Sequence, residues 1–269
     1  MQRPLNTAIG PSEEYLAKCS EPSQILGKKQ TKQLLILDLN GTLVSRIKQT
    51  MSFYVRPHHD KFFDYIFSNF KVMVWSSAQK RSVNTMCRMF PCRKYPLLLR
   101  WDRQHFGLTM NDFYRNVETV KDLERVWKEL PKYDSTNTII LDDTAKKLKY
   151  QPYNLIQVCT FDHKLFEKNQ VCFDNDLRKV INYLKILQQH SNVGSYMRAH
   201  PFDRTLDWDV EPDIYLDRVY TLFDDLGRKK LVNEQQEHKK IKKPKSEAYY
   251  ERMRHKRQKA KINKKKRLK

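Results

Sequence analysis

The run Leu34-Leu35-Ile36-Leu37, followed at once by Asp38, constrains this chain more than any other feature. Four consecutive apolar residues read as a strand buried on both faces, and such strands belong to parallel sheets covered by helices. A carboxylate placed directly after the run stands at the strand's carboxyl end, which is where open α/β sheets gather their chemistry.

The pattern downstream of that strand alternates. Residues 57–69 predict an amphipathic helix through Phe62, Phe63, Tyr65 and Ile66, and Lys71 to Trp75 a second buried strand. Helices are expected over about 79–89, 119–130 and 174–189, and strands over 97–100, 138–141 and 155–160. Strands alternating with helices imply parallel pairing in a doubly wound α/β sheet. Residues 1–31, with Pro4, Pro11 and Pro22 among polar neighbours, read as an extended arm, and the α/β pattern occupies 32–190. Residues 191–227 gather acids and aromatics and predict a surface wrap followed by a helix from Pro212.

Composition narrows the classes further. No stretch approaches the roughly 18 apolar residues that span a bilayer, and the first 25 residues carry Glu13, Glu14 and Glu21 without a signal-like apolar core. A soluble protein without membrane partners is expected. Five cysteines, an odd number in partly apolar surroundings, suit a reducing compartment; Cys87 and Cys92 lack the second close pair a zinc site needs. Six scattered glycines form neither a P-loop nor a dinucleotide fingerprint.

Charge is concentrated at one end. Residues 228–269 hold 19 Lys/Arg against 4 Asp/Glu, a net +15 out of +21 for the chain. The bases Lys239, Lys240, Lys242, Lys243, Arg252, Arg254, Lys256, Arg257, Lys264, Lys265, Lys266 and Arg267 make this segment a candidate RNA-binding or nuclear-targeting tail. Counterion release would supply its affinity, and the interleaved Tyr249 and Tyr250 could stack on unpaired bases.

Four sites, Asp38 among them, stand at strand ends or helix starts in order along the chain. Asp38 with Asn40, Gly41 and Thr42 comes first; Ser76 follows the strand ending at Trp75; Lys121 lies in Val120-Lys121-Asp122-Leu123; Asp142 and Asp143 follow Ile139-Ile140-Leu141. Together they resemble the four motifs of haloacid-dehalogenase (HAD) superfamily phosphatases. Adding Tyr54-Val55-Arg56-Pro57, Trp75-Ser76-Ser77-Ala78, Arg100 and Pro152-Tyr153-Asn154, the chain looks like the RNA polymerase II C-terminal-domain phosphatase group over about residues 32–190. That group also includes a mitochondrial import subunit without phosphatase function. The resemblance implies a HAD-like sheet flanked by helices and a covalent aspartyl-phosphate on Asp38. It further implies Ser76 and Lys121 holding phosphate, and Mg²⁺ held by Asp38, the Asn40 carbonyl, Asp142 and Asp143. The substrate implied is a phosphoserine or phosphothreonine protein.

One departure bears on catalysis. The family's first motif carries a second acid that protonates the leaving oxygen and activates water, and Asn40 occupies that position with no titrating proton. General acid–base help is worth about 10² to 10⁴ in rate. Two readings therefore stand at the level of sequence. One is an impaired, phosphatase-like scaffold in the nucleus, with the nucleolus and ribosome biogenesis as the setting, anchored to RNA or a ribonucleoprotein by its tail. The other is a Mg²⁺-dependent protein phosphatase acting on a nuclear phosphoprotein.

Overall fold

The computed structural model describes residues 10–30, 32–47, 49–167, 174–206, 208, 219–224 and 226–233. Its centre is a five-stranded parallel sheet. Strand β1 (Leu34–Leu37) lies between β4 (Lys71–Trp75) and β6 (Thr138–Asp142), with β5 (Arg100–Trp101) and β7 (Leu155–Gln157) at the edges.

The apolar run that opened the sequence is fully buried because each face of β1 meets helices. Side chains alternate across a strand. Leu35 and Leu37 join Val72, Val74, Ile139 and Leu141 on one face, under α2 (His59–Asn69), α3 (Lys80–Met86) and α7 (Asp176–Leu187). Leu34 and Ile36 join Met73, Trp75 and Ile140 on the other, under Leu123 and Val126 of α5 (Leu123–Glu129). Short helices α4 (Met110–Phe113) and α6 (His163–Glu167) lie in the connections. Every expected strand of this sheet and every expected flanking helix is present, with ends shifted by a few residues.

Elsewhere the structure corrects the sequence reading. The arm over 1–31 is not simply extended: Ser12 caps a helix, α1 (Glu13–Lys18), by accepting from the N–H of Tyr15 at 3.2 Å. Tyr15 is buried, stacks on Tyr153 at 5.9 Å between centroids, and its hydroxyl accepts from the Tyr153 N–H at 2.8 Å. The chain after α1 then bonds to the end of α7, Leu26 N–H to Gln189 O at 2.7 Å and Gln30 N–H to Gln188 O at 2.8 Å. Within 191–227 a helix, α8 (Val193–Ala199), packs Val193 and Met197 into the main core. The helix expected from Pro212 lies outside the described residues.

A second sheet was not foreseen. Hairpin strands β2 (Val44–Ile47) and β3 (Ser52–Val55) are extended by β8 (Val219–Phe223) and β9 (Lys229–Asn233), antiparallel throughout, in the order β2-β3-β8-β9. Phe53 and Phe223 stack across it at 5.3 Å. The basic segment expected from residue 228 therefore runs first through strand β9. The tail bases from Lys239 to Arg267 lie outside the described residues.

Among the described residues no helix is long and apolar enough to cross a membrane.

Candidate functional site

Parallel register builds the centre of the site. Leu37 pairs with Leu141, so Asp38 and Asp142 leave adjacent strands side by side, and the Asp38 N–H donates to Leu141 O at 2.9 Å. Both carboxylates are almost fully buried. Two acids this close need a cation, and Lys121 supplies it: its Nζ donates to Asp38 Oδ1 at 2.9 Å and to Asp142 Oδ2 at 2.6 Å. The Lys121 side chain has no solvent exposure. It does not sit on a helix, as the sequence suggested. Asp122 is the N-cap of α5, accepting from the Glu124 N–H, and Lys121 precedes it in the loop.

Asp143 is held from three sides. Its Oδ2 accepts from the Thr160 hydroxyl at 2.9 Å and its Oδ1 from the Thr144 hydroxyl at 3.1 Å, with the Thr42 hydroxyl at 3.5 Å. Gly41 makes this possible. Its φ of +91° favours glycine, and a Cβ there would stand 2.7 Å from Asp143 Oδ2.

A second lysine enters the cluster without having been singled out in the sequence. Lys147 Nζ donates to Asp142 Oδ1 at 3.0 Å and lies 3.5 Å from Asp143 Oδ1 and 3.7 Å from Asp38 Oδ2. Burial opposes its charge, but the Asp38 and Asp142 carboxylates outweigh that and raise its pKa. Burial likewise penalises the Asp142 carboxylate, and Lys121 with Lys147 overcomes it, so Asp142 stays below the usual carboxylate range. At Asp38 burial prevails over Lys121 and pushes the carboxyl up, with repulsion from Asp142 adding to it.

Arg56 fixes the loop that carries Asp38. Fully buried, it donates from Nη1 to Thr42 O at 2.9 Å, from Nε to Asp174 Oδ2 at 2.7 Å and from Nη2 to Asp176 Oδ2 at 3.0 Å. The first-motif turn is thereby tied to the start of α7. Asn154 is structural as well: it is buried and donates to Ser135 O and Thr138 O.

Of the candidate residues, Asp38, Lys121, Asp142 and Asp143 are drawn together. Ser76 is buried just beyond β4, the neighbour of β1; its N–H donates to Trp101 O at 3.0 Å and its Oγ accepts from the Ala78 N–H at 3.4 Å. Asn40 lies at the exposed rim of the first-motif turn, in a single bridge to Val44. His59 is buried, its Nδ1 3.0 Å from the Arg56 carbonyl oxygen.

Carboxylate oxygens of Asp38, Asp142 and Asp143 lie within 4.8 Å of one another, a group that could hold a metal ion. Hard oxygen donors of this kind suit Mg²⁺. The arrangement does not fit a divalent ion while Lys147 is in place, because its ammonium already stands within 3.7 Å of all three acids.

Comparison with known proteins identifies the family. Residues 33–194 match the family model of the NLI interacting factor-like phosphatases. An FCP1 homology domain-containing protein of Schizosaccharomyces pombe is 36% identical over 231 residues, covering 78% of this chain and 92% of that protein. The chain belongs to the NLI interacting factor-like phosphatase family, which is related to the C-terminal-domain phosphatases. A ubiquitin-like domain-containing CTD phosphatase of Drosophila melanogaster is 23% identical, over 66% of this chain and 58% of its own length. The fission yeast RNA polymerase II CTD phosphatase Fcp1, solved with beryllium fluoride, superposes with a TM-score of 0.47 at 12% identity, over 66% of this chain and 77% of that one.

Proposed function

We propose that this chain is a catalytically impaired member of its family, serving as a phosphatase-like scaffold in the nucleus and anchored to RNA or a ribonucleoprotein by its basic tail. The observation that carries the proposal is Asn40. A carboxamide stands where the family's mechanism needs a group that gives a proton to the leaving oxygen and takes one from water. Asp38 is still bound by Lys121, and the turn bearing it is clamped by Arg56. Such a site retains a shape and a charge pattern without the proton carrier for turnover.

Hydrolysis of a generic phosphate ester by the full chain with Mg²⁺, beside Asp38→Asn, tests this reading. Wild-type and variant rates are expected to coincide. Vigorous Mg²⁺-requiring turnover lost in Asp38→Asn would replace the scaffold with an active nuclear phosphoprotein phosphatase.

The tail reading rests on composition, 19 bases against 4 acids over residues 228–269, and on counterion release as the source of affinity. Its setting in the nucleolus and in ribosome assembly is drawn from the same composition. Because Lys229 to Asn233 form a strand, the segment to remove is 234–269. Retention on RNA is expected to fall steeply with salt and to disappear on that truncation; equal retention without the segment would remove RNA as the partner.

A further inference from the structure

The position of Lys147 follows from constraints on its backbone rather than from chance at a surface. It belongs to a 3₁₀ turn, Ala145–Leu148, that leaves β6 directly after Asp142 and Asp143. Its N–H donates to Thr144 O at 3.1 Å, its carbonyl accepts from the Lys121 N–H at 2.7 Å, and the next residue, Leu148, is fully buried. Lys146 and Lys149 on the same turn are exposed. Lys147 alone is directed inward, where its side chain keeps 15% exposure and meets one oxygen from each of three acids at 3.0, 3.5 and 3.7 Å.

That meeting point is where a hard cation would be sought by the same oxygens. A divalent ion would need donors at about 2.0–2.1 Å in near-octahedral array. Placed among these three acids it would lie within a few ångströms of the ammonium, and like charges so close repel strongly in a buried setting. Ion and ammonium therefore exclude each other. The opposite arrangement is also unfavourable without a replacement, since withdrawing Lys147 leaves three carboxylates facing Lys121 alone.

We infer that the Lys147 ammonium takes the place of the divalent cation, giving this site a covalently attached counter-cation and a low affinity for Mg²⁺. The substitution is separate from Asn40. It concerns the cation that balances Asp38, Asp142 and Asp143, whereas Asn40 concerns the proton carrier. An ammonium donates at most three hydrogen bonds at about 2.7–2.9 Å and cannot draw a phosphate oxygen and three carboxylates into one coordination shell. The closed cluster is thus suited to holding its own shape rather than to recruiting a metal with each substrate.

Metal binding by the full chain is the test, read by Mn²⁺ electron paramagnetic resonance and by Mg²⁺ titration calorimetry, with no dependence on activity. Wild type is expected to show no saturable site into the millimolar range. Lys147→Ser should bind Mn²⁺ at least tenfold more tightly, and Mg²⁺ should raise its Tm while leaving that of wild type unchanged. Lys147→Arg, which keeps the charge, should behave as wild type. Adding Asp143→Asn to Lys147→Ser should abolish the new site, locating it among these acids. Saturable wild-type binding that Asp143→Asn removes would overturn the inference, and that measurement needs no Lys147 variant to fold. So would a folded Lys147→Ser protein that binds metal no better than wild type. Ester hydrolysis by wild type that persists in a chelator would sink the impaired-catalysis proposal while supporting this one.

Discussion

The main-chain N–H of Lys121 donates to the carbonyl oxygen of Lys147 at 2.7 Å, so the two lysines that neutralise the buried acids are fixed to each other through their backbones. One reaches Asp38 and Asp142 from the loop before α5, the other reaches Asp142 and Asp143 from the turn after β6. Three carboxylates and two ammonium groups form one cluster, and disturbing one member exposes the rest.

Lys121→Met should be severely destabilising. The variant leaves Asp38 and Asp142 buried without their shared donor, and breaking a buried pair by removing one partner costs about 3–5 kcal/mol. Urea unfolding monitored by circular dichroism measures this. A loss well under 1 kcal/mol would show that Lys121 does not neutralise the pair.

Arg56→Lys should also cost stability, although charge is conserved. Arginine presents a planar fork that reaches Thr42 O, Asp174 and Asp176 at once, and an ammonium cannot match that geometry. Losing a charged hydrogen bond costs roughly 1.5–3 kcal/mol, so about 2 kcal/mol is expected by chemical denaturation. Proteolysis within the turn at Gly41 to Leu43 should quicken in parallel; unchanged stability and cleavage would deny Arg56 its clamping role.

His59 predicts a pH effect. Burial holds its pKa below the ordinary histidine value, although Asp60 pulls the other way. Between the folded value and the unfolded one of about 6.5, the unfolded chain binds more protons, so stability falls as pH drops through that window. His59→Gln should flatten this part of the profile. Tm measured from pH 7.5 to 5 on both proteins decides it, and parallel curves would count against the assignment.

Much of this arrangement was legible in the sequence, for reasons that can be named. A four-residue apolar run ending in an acid fixes a buried parallel strand, and the register then brings Asp38 beside Asp142. The charge of Lys147 was visible but its direction was not: it stands in a row with Lys146 and Lys149, and only the 3₁₀ turn and the burial of Leu148 select which of the three points inward. Strands β2 and β3 escaped notice because Val44-Ser45-Arg46-Ile47 and Ser52-Phe53-Tyr54-Val55 are short and half polar, and their sheet is completed by β8 and β9, far along the chain. His59 stands at the start of α2, and its burial comes from contact with Phe63 and the Arg56 carbonyl, which sequence spacing does not display.

The two proposals assign Asn40 to the place of a proton carrier and Lys147 to that of a metal, so restoring both is the most direct trial. Steady-state hydrolysis of a phosphate ester should be measured for wild type, Asn40→Asp, Lys147→Ser and the double variant, each with and without Mg²⁺. Little turnover is expected from wild type and from either single variant, with Mg²⁺-requiring turnover about 10²-fold or more higher in the double variant, within the range general acid–base catalysis supplies. A wild-type rate already equal to that of the double variant would contradict the impairment of this site.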